Sequence, residues 1–336
     1  MTDTRTGAHL VAAALAQEMN ADPSVIVFGE DVASLGGVFG ATRGLARRFG
    51  GRRVFDTPVS ETAFVGMAVG AAQAGLRPVV EIMFADFVGV CFDQVLNQLA
   101  KNTYMSGARV TVPAVLRTAV GCIGSAAQHS QVLSATFAHI PGLKVAYPAS
   151  QGDLAGMLVA AIRDDNPVVV LEHKWLLKAR TPDLPFNDAP AASAPIECRP
   201  LGTVRRLREG TDVTIVGAGY LVQLALRAAA ELLADGISAG VIDVRSLVPL
   251  DREGLATAAK AAPCLLVVDD DYEQYGMCAE VMATIAEELH HTAPAMGRHA
   301  VRVPIPASAV LEADVVPSAR SIAQAATNLV KRWADG

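Results

Sequence analysis

The sequence has no Cys-x-x-Cys pair. Its five cysteines, at 91, 122, 198, 264 and 278, have a spacing that suits no zinc cluster, and they read as reduced, mostly buried thiols of a cytoplasmic protein. No apolar run approaches the roughly 20 residues of a membrane span. The Ala-rich stretch Leu10 to Ala16 is short, weakly preceded by Arg5 and continued by Gln17-Glu18-Met19, so a helix of the folded protein is expected there rather than a signal segment. Dense positive charge is missing too. The net charge is -6, and the nearest approach to a basic cluster, Arg205, Arg206 and Arg208, lies beside Glu209 and Asp212. That pattern predicts a solvated turn and excludes a nucleic-acid groove. Aromatic residues are few, at 5%.

Small apolar residues are what the chain has in quantity. With 51% hydrophobic and 18% charged residues and a mean hydropathy of +0.33, 336 residues suffice for two domains with large cores and extensive subunit contacts. Five prolines, at 182, 185, 190, 195 and 200, alternate with Asp183, Asn187, Asp188 and Ser193. This composition denies both helix and central strand and predicts a linker over 181–200 between domains at 1–180 and 201–336.

In the first part, β-rich runs at Val25 to Phe28, Val79 to Ile82, Val112 to Leu116 and Val168 to Leu171 alternate with helical stretches. In the second, Asp212 to Val216, Gly240 to Val244 and Cys264 to Val268 repeat the pattern. The expected fold class is α/β, two domains, each a mainly parallel sheet with helices on both faces. Ligands in such sheets sit beyond the carboxyl ends of the strands, where Glu30, Met83 and Phe87 are predicted. Gly217-Ala218-Gly219 has Val222 at the third glycine position of a dinucleotide fingerprint, so a tight strand-to-helix turn is expected there. Asp269-Asp270-Asp271 reads as the polar end of a strand, facing solvent or a neighbouring subunit.

Asp56-Thr57-Pro58-Val59-Ser60-Glu61 is the most informative stretch, because it sets one carboxylate after a turn and just before the small apolar run Phe64 to Ala72. Gly66, Gly70, Ala71, Ala72 and Gly75 suggest close approach to another backbone, with Glu61 at the mouth of that contact. Desolvation would raise its pKa and suit it to proton exchange with a ligand. A glutamate in a first helical turn also stabilises the helix dipole, and the segment alone leaves both readings open.

Further segments narrow the choice. Gly29-Glu30-Asp31-Val32 with Gly36-Gly37-Val38-Phe39, Glu81-Ile82-Met83-Phe84-Ala85-Asp86-Phe87, Ala127-Gln128-His129-Ser130, Ile140-Pro141-Gly142-Leu143-Lys144-Val145 and Ala161-Ile162-Arg163-Asp164-Asp165-Asn166-Pro167 occur in this order. Together they resemble the β subunit of the thiamine-diphosphate-dependent component of 2-oxo acid dehydrogenase complexes, from about Val25 to the C-terminus. The resemblance implies a transketolase-like pyrimidine-binding domain followed by a transketolase C-terminal-like domain, the latter supporting dimerisation and docking of an acyltransferase core.

What it implies for single residues is specific. Glu61 would hydrogen-bond the pyrimidine ring of thiamine diphosphate and drive its tautomerisation. Met83 and Phe87 would pack on that ring, and Glu30 and Val59 would line the cofactor. His129 would orient the acyl group or exchange protons during its transfer to lipoamide. Ordinary core packing for Met83 and Phe87 and a loop hydrogen bond for His129 are the plain alternatives. Backbone carbonyls of Ala114, Ala161, Ile162, Asp164 and Asn166 would bind a structural K⁺.

The Gly-Asp-Gly and Asn-Asn signatures that hold Mg²⁺ in thiamine enzymes are absent, since Gly152-Asp153 runs on to Leu154. The Mg²⁺ ligands are therefore expected from an α subunit in an α2β2 heterotetramer, with a lipoyl acyltransferase as further partner. The segments around Met83 and Cys91 look closer to acetoin-cleaving and branched-chain relatives than to the common pyruvate form, leaving acetoin or pyruvate as expected substrate. A thiamine-dependent carboligase half and a non-catalytic scaffold subunit are the alternatives.

Overall fold

The computed structural model describes residues 4–335. The strands in chain order are β1 (Val25–Gly29), β2 (Val54–Asp56), β3 (Arg77–Phe84), β4 (Val115–Val120), β5 (Lys144–Ala146), β6 (Val168–His173), β7 (Arg205–Arg208), β8 (Val213–Gly217), β9 (Ala239–Asp243), β10 (Ser246–Val248), β11 (Cys264–Tyr272) and β12 (Ala295–Val301). They form two sheets, ordered β10-β5-β6-β4-β3-β1-β2 and β12-β11-β8-β9-β7. Each is parallel except at one edge, where β10 runs antiparallel to β5 and β7 antiparallel to β9. Parallel strands buried on both faces need near-continuous apolar runs, and Val168 to Leu171 and Cys264 to Val268 supply them.

The expected α/β class with two mainly parallel sheets is what the chain adopts. The strand expected from Val112 instead begins at Val115. Pro113 has no N–H for the ladder, and β4 runs on through Arg117 and Thr118, polar residues that look like interruptions in the sequence. β10 is the surprise of the topology: it lies beyond the proline-rich segment yet completes the first sheet. One apolar core accordingly runs from Ile26, Phe28 and Leu116 to Val216, Ile242 and Val281. A second packs the helix Gly7–Ala21 against Gln151–Arg163, and a third lies beneath Leu221–Ala234 and Ala319–Ala334.

Residues 184–204 form neither helix nor strand, but they are tied down. Gln223 bonds the backbone of Phe186 in both directions, Nε2 donating at 3.0 Å and Oε1 accepting at 2.9 Å. Asp153, wholly buried, accepts from Arg199, Arg205 and Arg245. This corrects the solvated turn expected at Arg205 to Arg208: the segment is β7, and Arg205 is spent on Asp153 and Asp188. The acidic run is corrected likewise. Asp269, Asp270 and Asp271 are buried inside β11, and Asp270 and Asp271 bond Tyr147, His173 and Ser134 of the first domain. Four of the five cysteines are buried, Cys198 being exposed, and among the described residues no helix is long and apolar enough to cross a membrane.

Candidate active site

The site is built where β1 and β3 end side by side. Gly29 closes β1, and a Cβ there would lie 2.5 Å from the Glu81 carbonyl, so only glycine lets the strands stay paired as the chain turns away. The Asp56 carboxylate then receives the N–H groups of Ala33 at 2.7 Å and Ser34 at 3.1 Å. Thr57 N–H donates to Gly29 O at 3.0 Å. These bonds bring Glu30 and Glu61 to one place.

Glu61 is the first residue of the helix Glu61–Gln73 and is 8% exposed. No hydrogen bond to its carboxylate is formed among the described residues. Glu30 is equally buried, and its Oε1 has no partner. Burial and the neighbouring negative charge of Glu61 push the Glu30 carboxyl up from the ordinary glutamate range, partly offset by the Ser60 backbone. Glu30 Oε1 and the Glu61 carboxylate are acceptors waiting for a donor from outside the chain.

The stripe of small residues behind Glu61 differs from expectation. Gly66 does sit tightly, its Cβ position 3.0 Å from Gln94 Oε1, a side chain rather than another backbone, but Gly70 and Gly75 face open space. Thr62, Ala63, Met67 and Gly70 are exposed, so one face of this helix is uncovered in the single chain.

An aromatic group closes the other side. The Phe84 ring meets Phe39 edge-on at 6.1 Å, Phe87 at 5.6 Å and the His129 imidazole at 5.3 Å, and Phe87 meets His129 at 5.6 Å. Met83, half-buried, is the penultimate residue of β3. Glu61, Glu30, Met83, Phe87 and His129 therefore lie beyond the carboxyl ends of the central strands β1, β3 and β4, and Phe84, which sequence reasoning passed over, is the hub of the aromatic group. Val59 is 81% exposed.

His129 sits in a loop secured at several points. Gly124 N–H donates to Glu312 at 3.0 and 3.1 Å, Gln131 N–H donates to Asp86 at 3.2 Å, and Lys174 Nζ donates to Gly121 O at 2.9 Å and to His129 O. Gly121 has φ +86, and a Cβ would lie 2.2 Å from His173 Nε2. His173 in turn bonds Asp270 at 2.9 Å, and Asp270 also accepts from Tyr147 at 2.9 Å. The acidic run of β11 thus braces the back of the loop, a long-range role with no local signature.

Among the described residues no group of three or more His, Cys, Asp or Glu side chains is arranged to hold a metal. The expected K⁺ ligands are occupied differently. Arg77 donates to the carbonyls of Ile162 at 3.0 Å and Asp164 at 2.9 Å, while those of Ala114 and Ala161 accept backbone N–H groups. A cation there would share the Ile162 and Asp164 carbonyls with the Arg77 guanidinium, which also bonds Asp165 at 2.5 Å.

The fold and site define a two-domain, doubly wound α/β protein with a ligand edge rich in acceptors and aromatic faces. The family described as "Transketolase, pyrimidine binding domain" matches residues 3–180, and "Transketolase, C-terminal domain" matches residues 202–322. The chain is 41% identical over 95% of its length to the β subunit of acetoin:2,6-dichlorophenolindophenol oxidoreductase of Cupriavidus necator, covering 95% of it. It is 41% identical over 93% to the mitochondrial pyruvate dehydrogenase E1 component subunit beta-1 of Arabidopsis thaliana, covering 85%. A solved split-gene transketolase, an inactive beta4 tetramer, shares the fold with a TM-score of 0.79 at 23% identity, over 97% of this chain and 98% of that one. The chain therefore belongs to the transketolase-type family of pyruvate and acetoin dehydrogenase E1 β subunits.

The buried pair gives a prediction with a definite sign. A raised carboxyl pKa means that the folded chain binds more protons than the unfolded one from the ordinary glutamate range up to the raised value, so this group makes stability fall as pH rises across that window. Glu30→Gln is expected to raise the melting temperature at pH 7 and to show a smaller gain near pH 4, with weaker ligand binding at the site. Melting curves at the two pH values decide it; an equal or larger gain at pH 4 would refute the charge argument.

Proposed function

We propose that this chain is the β subunit of a thiamine-diphosphate-dependent pyruvate or acetoin dehydrogenase, acting with an α subunit in an α2β2 heterotetramer. The observation carrying the reading is the pair of buried carboxyl groups, Glu30 with an unpartnered Oε1 and Glu61, beyond the same carboxyl ends of central strands as the Phe84, Phe87 and His129 group. The acceptors fit a ring that donates hydrogen bonds, and the half-buried Met83 and Phe87 offer soft apolar faces to it. Bound there, thiamine diphosphate supplies a carbon nucleophile and electron sink for cleaving the bond beside a carbonyl.

The rest is done by the protein. Glu61 holds and exchanges a proton with the pyrimidine nitrogen. Glu30, its own carboxyl pushed up by burial and by Glu61, stands beside it as a second acceptor. The aromatic group excludes water, and His129 orients the acyl group during passage to lipoamide on an acyltransferase. Ligands for Mg²⁺ and the diphosphate would come from the α subunit, and the uncovered face of Glu61–Gln73 with exposed Val59 suits that partner. Nothing in this scheme needs potassium. The units at 1–180 and 201–336 act as pyrimidine-binding and dimerising domains in a cytoplasmic complex.

The test is reconstitution with the candidate α subunit and a lipoylated domain. Acetoin- or pyruvate-dependent acylation of the lipoyl group is expected. Turnover with an aldehyde acceptor but none with lipoamide would replace this reading by a carboligase.

A further inference from the structure

Lys174 is fully buried just beyond β6, an unfavourable place for an ammonium unless its donors are used. All three directions are taken up. One N–H reaches Gly121 O at 2.9 Å, another reaches His129 O, and the charge lies 4.7 Å from the centre of the Phe84 ring. Gly121 and His129 are the two ends of the loop that carries the imidazole, and Phe84 is the ring on which that imidazole packs. A single cation therefore joins both ends of the loop to the aromatic floor of the site.

We propose that Lys174 is a positioning residue for His129, a built-in monovalent cation that closes the 121–129 loop and sets the imidazole against Phe84 and Phe87. The inference rests on the functional reading of His129 given above. The charged and titratable groups facing the ammonium come from several neighbouring elements: Asp86 after β3, Asp270 in β11, Glu312 in the helix Ala309–Val315 and Cys122 in the loop itself. Burial outweighs the favourable pull of Asp86, Cys122, Glu312 and Asp270 and brings the amine down to about 8. Above that pH the bonds to the carbonyls lose their charge assistance and the loop loosens.

The experiment uses the reconstituted α–β complex with Lys174→Met and Lys174→Arg. Two readouts are taken: the pH profile of kcat, and deuterium uptake of the peptide spanning 121–131 without substrate, corrected for intrinsic exchange. Wild type is expected to lose kcat above pH 8 while uptake by the loop rises. Lys174→Arg retains activity and moves the alkaline limb upward, because guanidinium stays charged. Lys174→Met lowers kcat by roughly 10²-fold at pH 7 with little change in KM, as a misplaced catalytic group does, and its loop exchanges fast at every pH. Uptake in Lys174→Met equal to wild type, or an alkaline limb that stays at pH 8 in Lys174→Arg, overturns the inference. Should the complex show no turnover with any substrate yet give this exchange pattern, the cross-link stands and the functional reading falls.

Discussion

Glu61→Gln is expected to lower turnover of the reconstituted complex by at least about 10³-fold, within the range a positioned acid or base contributes, while leaving assembly unchanged. Glutamine matches glutamate in shape, so it can occupy the first position of the helix Glu61–Gln73 and the same 8%-exposed niche. It cannot take up or release a proton. Burial is the larger cause of the upward shift of Glu30 and the Glu61 charge the second, so the same substitution should bring the Glu30 carboxyl only part of the way down even as activity is lost. Glu61→Asp keeps the proton but withdraws it by one methylene, and a loss of roughly 10²-fold is expected from misplacement alone. Steady-state assays with size-exclusion profiles of each complex check this. Near-normal turnover in Glu61→Gln would return the residue to a helix-dipole role.

The largest effect on stability is expected at Arg117, which is 1% exposed in the middle of β4. Its guanidinium donates to Glu172 through Nε and Nη2, both at 2.8 Å, and to Glu81 through Nη1 at 2.7 Å. The three residues lie on adjacent strands in register, Glu81 opposite Arg117 and Ala119 opposite Glu172. Burial pushes the Glu172 carboxyl up, and the Arg117 guanidinium opposes that shift. Arg117→Met would leave two enclosed carboxylates facing each other, at a cost of about 3–5 kcal/mol. The deficit should shrink as pH falls from 8 to 5, because the abandoned carboxyl groups can then take up protons. Adding Glu81→Gln and Glu172→Gln should recover most of the loss. Denaturation midpoints at both pH values test this, and a pH-independent deficit would point to packing alone.

These two residues also mark how far the fold and site can be read from sequence. Glu61 stands out locally, since a carboxylate beside a proline turn and before a small-residue helix breaks the apolar pattern, and the parallel strands are legible because buried strands need unbroken Val and Ile runs. Arg117 had a signal too, a lone cation in the run Val115 to Val120, but its partners lie 36 and 55 residues away. Asp270 with His173 and Tyr147, and Lys174 with the ends of the His129 loop, are likewise contacts between distant segments. Local patterning carries no trace of them, so the acidic run of β11 reads as solvent-facing until the second sheet is packed against the first. Phe84 was hidden by its neighbours Met83 and Phe87, because side chains alternate across a strand end and only the turn beyond decides which ones meet. β10 joins the first sheet from beyond the proline-rich segment, a pairing that only tertiary packing selects.

The shared active site is the central claim, and calorimetric titration of thiamine diphosphate with Mg²⁺ tests it most directly, first into this chain alone and then into the chain assembled with its α subunit. Tight binding to the pair and none to the chain alone is the predicted result. Tight binding to the isolated chain would contradict it, because Mg²⁺ and diphosphate would then be held without the α subunit's ligands.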